Sequence, residues 1–328
     1  MNLSQLNDWS NTLFNVTLFA YVGAMVTSFA FVAFRARGLA WVSTAFGVAG
    51  LVANLGAIVT RGLAAERFPW GNMYEYSMAM TFVVVAAYLI GVELVHRIRT
   101  VGGPVYAFAI FTLAMASLFF YVAAGPLLPA LNSYWRQIHV TSMITSTSLL
   151  GIGCVLTILY LVKDRSERRQ ADRLQGQGPP PIMGGSVDAD LTVTDVVVDA
   201  VDPAGEAPAD ELGGDGAPGL PRGRLPSAAT LDRLAYRFIT FGFPIWTFGV
   251  IGGAIWAQEA WGRYWGWDPK ETWSFITWVI FAGYLHARAT SGWKGRRAAA
   301  IALVGFASLL VTYYAVNLWI AGLHSYAT

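Results

Sequence analysis

The chain has 328 residues, 55% of them hydrophobic and only 13% charged, with a formal net charge of +2 at pH 7. An ordinary soluble domain is about 25% charged, and a nucleic-acid binder concentrates basic residues far beyond this balance. The composition excludes both and places the chain among integral membrane proteins.

A helix that crosses a bilayer needs about 20 apolar residues. Eight runs meet that length, roughly 13–34, 39–60, 77–95, 104–124, 138–162, 238–257, 271–290 and 299–320. The expected fold is therefore an all-α integral membrane protein with about eight transmembrane helices. The first run does not read as a removable signal peptide, because it is long, lacks a basic segment ahead of it and is followed closely by a second run. Basic residues collect after spans 1, 3, 5 and 7. Of the 22 Lys and Arg, only Arg61, Arg67, Arg136, Arg263 and Lys270 fall on the other side. Basic loops stay in the cytoplasm, so both termini are expected outside a bacterial plasma membrane.

The runs divide the chain into a five-span part, 1–162, a linker, 163–235, and a three-span part, 236–328. Residues 170–230 are rich in Gly, Pro, Asp and Ala and hold ten acids against three arginines. Such a segment buries too little apolar surface to order itself, so 163–235 reads as a disordered cytoplasmic linker, with a short strand at 191–201 as the alternative. The single cysteine, Cys154, lies mid-span and reads as a packing thiol.

The outer segments carry the unusual residues. Trp261-Gly-Arg-Tyr264-Trp265-Gly-Trp267-Asp268-Pro-Lys270-Glu271-Thr-Trp273 packs four tryptophans, a tyrosine and a charged pair into thirteen residues. Aromatic rings favour membrane boundaries, which accounts for one or two of them. The density suits an outward-facing shelf for a flat conjugated ligand with a charged edge, such as a porphyrin. Asp268, Pro269 and Glu271 also fit the N-cap, N1 and N3 positions of span 7, so Asp268 is either a cap or a ligand contact. The helix start and Lys270 present positive charge to the same side. Residues 68–76 and 132–139, also outer and aromatic, read either as a boundary belt or as walls of one cavity with the Trp-rich stretch.

Four histidines complete the set. His139 and His324 stand at the outer ends of spans 5 and 8, and Asn317 lies seven residues before His324 on the expected helical face. His286 lies about 22 Å inward along span 7 at ~1.5 Å per residue. His96 sits at the headgroup level beside Arg97. Imidazole is a common axial ligand of haem iron, and ionisable residues within a span are functional candidates.

The run from Trp246 to Arg288, with Trp256-Ala257, Trp261-Gly262, Tyr264-Trp265, Trp267-Asp268-Pro-Lys-Glu271 and Tyr284-Leu-His286-Ala-Arg288, resembles the tryptophan-rich "WWD" signature of the haem-handling proteins of cytochrome c maturation. The closest type is the CcsA/ResC subunit of System II, called CcsB in some bacteria. Gly322-Leu-His324-Ser-Tyr326, Asn72-Met-Tyr74-Glu75 and Trp135-Arg-Gln-Ile-His139 fit that type too, and the resemblance covers nearly everything outside 163–235.

The resemblance implies a membrane subunit of a cytochrome c synthase that translocates haem b and presents it for thioether attachment to the CxxCH motif of apocytochrome c. It implies haem iron held by His139 and His324 over a surface of Trp261, Tyr264, Trp265, Trp267, Asp268, Lys270, Glu271 and Trp273. It further implies an inner iron site of His286 and a histidine of a ResB/Ccs1-type partner subunit, with a thioredoxin-like thiol reductant as a further partner. No nucleophile or acid–base pair of this chain is required, since substrate thiols react and the protein binds and orients. Three rivals compete with this reading. They are a haem exporter without attachment activity, a transporter of another aromatic or anionic substrate, and a membrane cytochrome b; the last expects paired histidines deep within helices.

Overall fold

A computed structural model describes residues 2–125, 133–176, 225–320 and 322. Eight long helices run through them: α1 (Leu3–Phe34), α2 (Arg37–Ala65), α3 (Met73–Ala87), α4 (Gly102–Phe119), α5 (Tyr134–Gly176), α6 (Ala228–Trp261), α7 (Pro269–Thr290) and α8 (Arg296–Leu310). α3 continues as a π-helical segment, Tyr88–Leu94. α8 continues through a π-helical turn, Val311–Ala315, into Val316–Trp319. Each of the eight apolar runs forms one helix. With no water in the hydrocarbon layer, backbone groups must be bonded within the segment, and a helix does that. Seven of the eight, α7 excepted, are long and apolar enough to cross a membrane by length and composition.

Helix starts follow local chemistry. The Asn72 side chain caps α3 by accepting from the Glu75 backbone N–H at 2.9 Å. Asp268 and Glu271 form a reciprocal capping box at the start of α7, with Pro269 in the first turn. α6 stops at Gly262, whose φ of +71° is the left-handed conformation that glycine adopts without penalty.

The expected linker is corrected at both ends. α5 runs on to Gly176 and α6 begins at Ala228, so 163–176 and 228–235 are helical. A helix need not end where its apolar run ends. Lys163–Glu167 and Asp164–Arg168 are ion pairs one turn apart on the polar extension of α5, and Arg288 of α7 holds Asp232 of α6 at 2.9 Å. Residues 177–224, and with them the strand considered at 191–201, lie outside the described residues. The split into five and three spans is one of chain rather than of packing, because α5 lies along α6. Ser146 of α5 donates to the Gly242 carbonyl of α6 at 2.7 Å, and one buried cluster joins Leu150, Ile239, Trp246, Phe281 and Leu309 from α5, α6, α7 and α8. Cys154 is buried as expected.

Candidate functional site

The ends of α3, α5, α6, α7 and α8 on the side of the Trp-rich loop enclose a cavity of about 1200 Å³, counting its open mouth. One wall comes from the loop ahead of α3, with Trp70, Gly71 and Asn72. Another comes from α6 and the loop after it, with Trp256, Ala257, Tyr264 and Trp265. α5 supplies Arg136, His139, Met143 and Thr147 down one side, and Trp246 lies at the apolar depth.

His139 is held in one orientation. Its Nδ1 lies 2.6 Å from the Gly249 carbonyl oxygen. A carbonyl can only accept, so Nδ1 carries the proton, and in the neutral ring the lone pair is on Nε2. The imidazole also stacks on Trp256, with ring centroids 6.2 Å apart and planes 22° from parallel. The approach depends on glycine. A β-carbon at Gly253 would lie 2.6 Å from His139 Nδ1, and one at Gly249 would lie 2.6 Å from Met143 Sδ. Small residues thus let α5 and α6 come close enough for an imidazole to reach a backbone carbonyl of the neighbouring helix.

Among the described residues, two cations border the cavity. Arg136 is buried and donates to the Trp70 carbonyl at 2.8 Å. Lys270, which precedes the apolar run of α7, donates to Asn317 Oδ1 at 2.9 Å. Burial pushes its ammonium down to about 8, with the Asp268 carboxylate pulling the other way. Glu271 accepts from the backbone N–H groups of Gly266 and Asp268 at 2.8 and 3.1 Å, and Arg263 lies 3.7 Å from it. The Trp-rich loop is thereby tied to the first turn of α7. Trp267 takes a φ of +58° within that loop, a strained conformation for a bulky side chain, and it is 66% exposed.

The wall at Trp70 is anchored from behind. The buried Glu75 carboxylate receives Arg61 at 3.2 Å, Arg67 at 2.8 Å and the Gly71 N–H at 2.7 Å. Arg61 also donates to the Val122 carbonyl and sits over the Tyr74 ring. One carboxylate therefore fixes the loop whose Trp70 carbonyl in turn orients Arg136.

The chain matches the family "Cytochrome C assembly protein" over residues 70–324. It is 38% identical to "Cytochrome c biogenesis protein CcsA" of Gloeobacter violaceus, over 99% of this chain and 98% of that protein. The protein of the same name from Synechococcus elongatus is 39% identical, with 99% of each chain covered. The chain belongs to the cytochrome c assembly family. Its fold also resembles the solved structure of "Cytochrome c Heme Lyase CcmF", with a TM-score of 0.63 at 13% identity, over 96% of this chain and 47% of that one.

In this cytochrome c assembly protein the expected site residues separate into groups. His139, Tyr264, Trp265, Lys270 and Glu271 line the cavity together. Trp261 stands behind Trp256, with centroids 5.1 Å apart. Trp267 packs edge-on against Trp265 at 5.8 Å, and Trp273 is half-buried in the first turns of α7. The Asp268 side chain is buried as the cap. His286 is exposed on the flank of α7 and does not line that cavity. His324 lies outside the described residues. Gly322 is described, and a β-carbon there would lie 2.7 Å from Asp268 Oδ1. The chain thus reaches the start of α7 two residues before His324.

One expectation is corrected. The seven-residue spacing placed Asn317 and His324 on one helical face, but the helix ends at Trp319 and Ile320 is extended, so helical spacing does not carry through. Asn317 instead holds Lys270. The segments 68–76 and 132–139, read as belt or wall, both contribute residues to the cavity. Trp246, Thr312 and Tyr313 were not singled out as site residues. An indole within an apolar run carries no local signal, and a π turn rotates Tyr313 relative to any 3.6-residue projection.

Proposed function

We propose that this chain is the membrane subunit of a cytochrome c synthase, that its outer cavity receives haem b, and that haem is presented there to the CxxCH thiols of an apocytochrome c. The observation that carries the reading is His139. Its Nδ1–H is bonded to a backbone carbonyl, which sets the tautomer and makes Nε2 the ligating nitrogen, as is usual for histidines that bind iron. The rest of the donor set fits haem. Indole and phenol rings match the porphyrin face, and Arg136 and Lys270 match its propionates. His324 is the second axial ligand in this reading, supported by Gly322 beside Asp268.

The chain's contribution is to bind, orient and limit water. Each thiol adds across a vinyl group, so that sulfur bonds to the α-carbon and the proton ends on the β-carbon. No protein nucleophile is consumed. His286 belongs to an inner site completed by a histidine of a ResB/Ccs1-type partner, and its exposure on α7 is what such sharing needs. The basic loops and the family together favour a bacterial plasma membrane with both termini and the WWD loop outside, where a thioredoxin-like reductant would keep the apocytochrome thiols reduced.

The test is co-expression of the chain with the partner subunit and a CxxCH apocytochrome, scored by covalent haem staining and the pyridine haemochrome spectrum. Holocytochrome that depends on His139 supports the reading. Haem delivered outside without thioether bonds would make the chain an exporter instead.

A further inference from the structure

The basic end of the bundle, opposite the cavity, carries a second feature. α5 and α8 run antiparallel there, and Leu161 and Arg165 of α5 line a groove with Arg296, Ala300 and Leu303 of α8. The lining is graded along the groove. Arg165 follows Leu161 by one turn on α5, and Arg296 precedes Ala300 by one turn on α8. Because the helices are antiparallel, both guanidiniums stand at the same end of the apolar strip. The strip continues toward the middle of the bundle along Ile158 and Val304, which are 48% and 57% exposed. These are faces that a bilayer covers.

The charge at the head of the groove is not balanced. Asp164 is shared by Arg296 at 2.7 Å and Arg168 at 3.1 Å. Glu167 is taken by Lys163 at 3.6 Å. Arg165 is exposed and makes no ion pair among the described residues. Among the described residues, Asp164 thus pairs with two guanidiniums and Arg165 adds a third without a carboxylate partner, leaving positive charge above an aliphatic track. A free phosphate would satisfy the charge and leave the track bare. A zwitterionic lipid would bring its own cation toward the arginines.

We propose that this groove binds an anionic glycerophospholipid, with its phosphate between Arg165 and Arg296 and an acyl chain along Leu161, Leu303 and Val304. Guanidinium forks match phosphate oxygens, and basic clefts between helices at a membrane surface suit anionic headgroups.

The full chain, purified in mild detergent and passed through mixed vesicles of phosphatidylglycerol and phosphatidylcholine, is examined by native mass spectrometry for retained lipid. Wild type retains phosphatidylglycerol over phosphatidylcholine. Arg165→Gln lowers that preference about fivefold, and Arg165→Gln with Arg296→Gln removes it, at ~1 kcal/mol per basic residue near an anionic surface. Arg35→Gln with Arg37→Gln, at another basic helix end, leaves it unchanged. Since Arg296 also holds Asp164, the Arg165 variant decides. An undiminished preference in Arg165→Gln overturns the proposal, as does an equal loss in the Arg35/Arg37 control. Displacement of the lipid by inorganic phosphate at equal concentration also overturns it, because the site would then be an anion site without use of the track.

Discussion

His139 and His286 are both imidazoles on long apolar helices, and their surroundings differ in every respect. His139 is bonded through Nδ1 to Gly249, stacked on Trp256, and set in a cavity with two cations at its border. His286 is exposed on α7, in a stretch where Phe275 and Val279 are also exposed. The first is a site that the chain builds for itself. The second is an exposed imidazole on a helix face, and in the function proposed here its remaining ligands come from another molecule. The contrast teaches that one helical bundle can hold a histidine fixed by its own packing beside a cavity and another left on its surface. Glycines spaced along a helix mark the first, and outward placement marks the second.

That contrast can be broken most directly at His139. His139→Ala abolishes holocytochrome formation and changes the haem absorption spectrum; wild-type attachment in this variant would remove the outer-site assignment. Glu75→Gln is the largest expected effect on stability. It leaves Arg61 without its counter-charge in a fully buried position, costing about 3–5 kcal/mol, read as a lowered unfolding temperature in detergent. Loss of attachment without a change in unfolding temperature would instead make Glu75 a direct participant.

Gly253→Ala sharpens the comparison without touching a ligand. The methyl group displaces His139 from its carbonyl, and haem retention falls about 10- to 100-fold while the protein still folds. Retention at the wild-type level would mean that the carbonyl bond is not needed. His286→Ala has a conditional effect: co-purified haem falls when the partner subunit is present and changes little when the chain is purified alone. An equal fall in both preparations would show that His286 acts within this chain.

A smaller effect concerns pH. Haem capture weakens as pH rises through about 8, because Lys270 loses the charge that would face a propionate, and Lys270→Gln removes this dependence at a lower overall affinity. A pH profile identical in both proteins would take Lys270 out of the site.

The fold was legible because its signals are local. Apolar runs gave all eight helices, and Asp268-Pro-Lys-Glu271 gave the start of α7, since capping is decided by residues three apart. The density of the Trp-rich stretch drew attention to Tyr264 and Trp265, which line the cavity. The linker boundaries were misplaced because hydropathy marks where lipid contact ends, while Lys163–Glu167 and Arg288–Asp232 carry helix beyond it. The spacing of Asn317 and His324 misled because a chain that turns extended at Ile320 keeps no helical register.

The order of helices, their approximate ends, the segregation of basic residues and the family signature were therefore set by the sequence alone, since each depends on neighbours along the chain. The meeting of Trp70, Arg136, His139 and Lys270, the proton on His139 Nδ1 and the outward turn of His286 were decided only by tertiary structure. These depend on how far each helix is rotated and how closely it packs. Gly249, Gly253 and the π turn at Val311–Ala315 set those rotations and distances through contacts between segments remote in sequence.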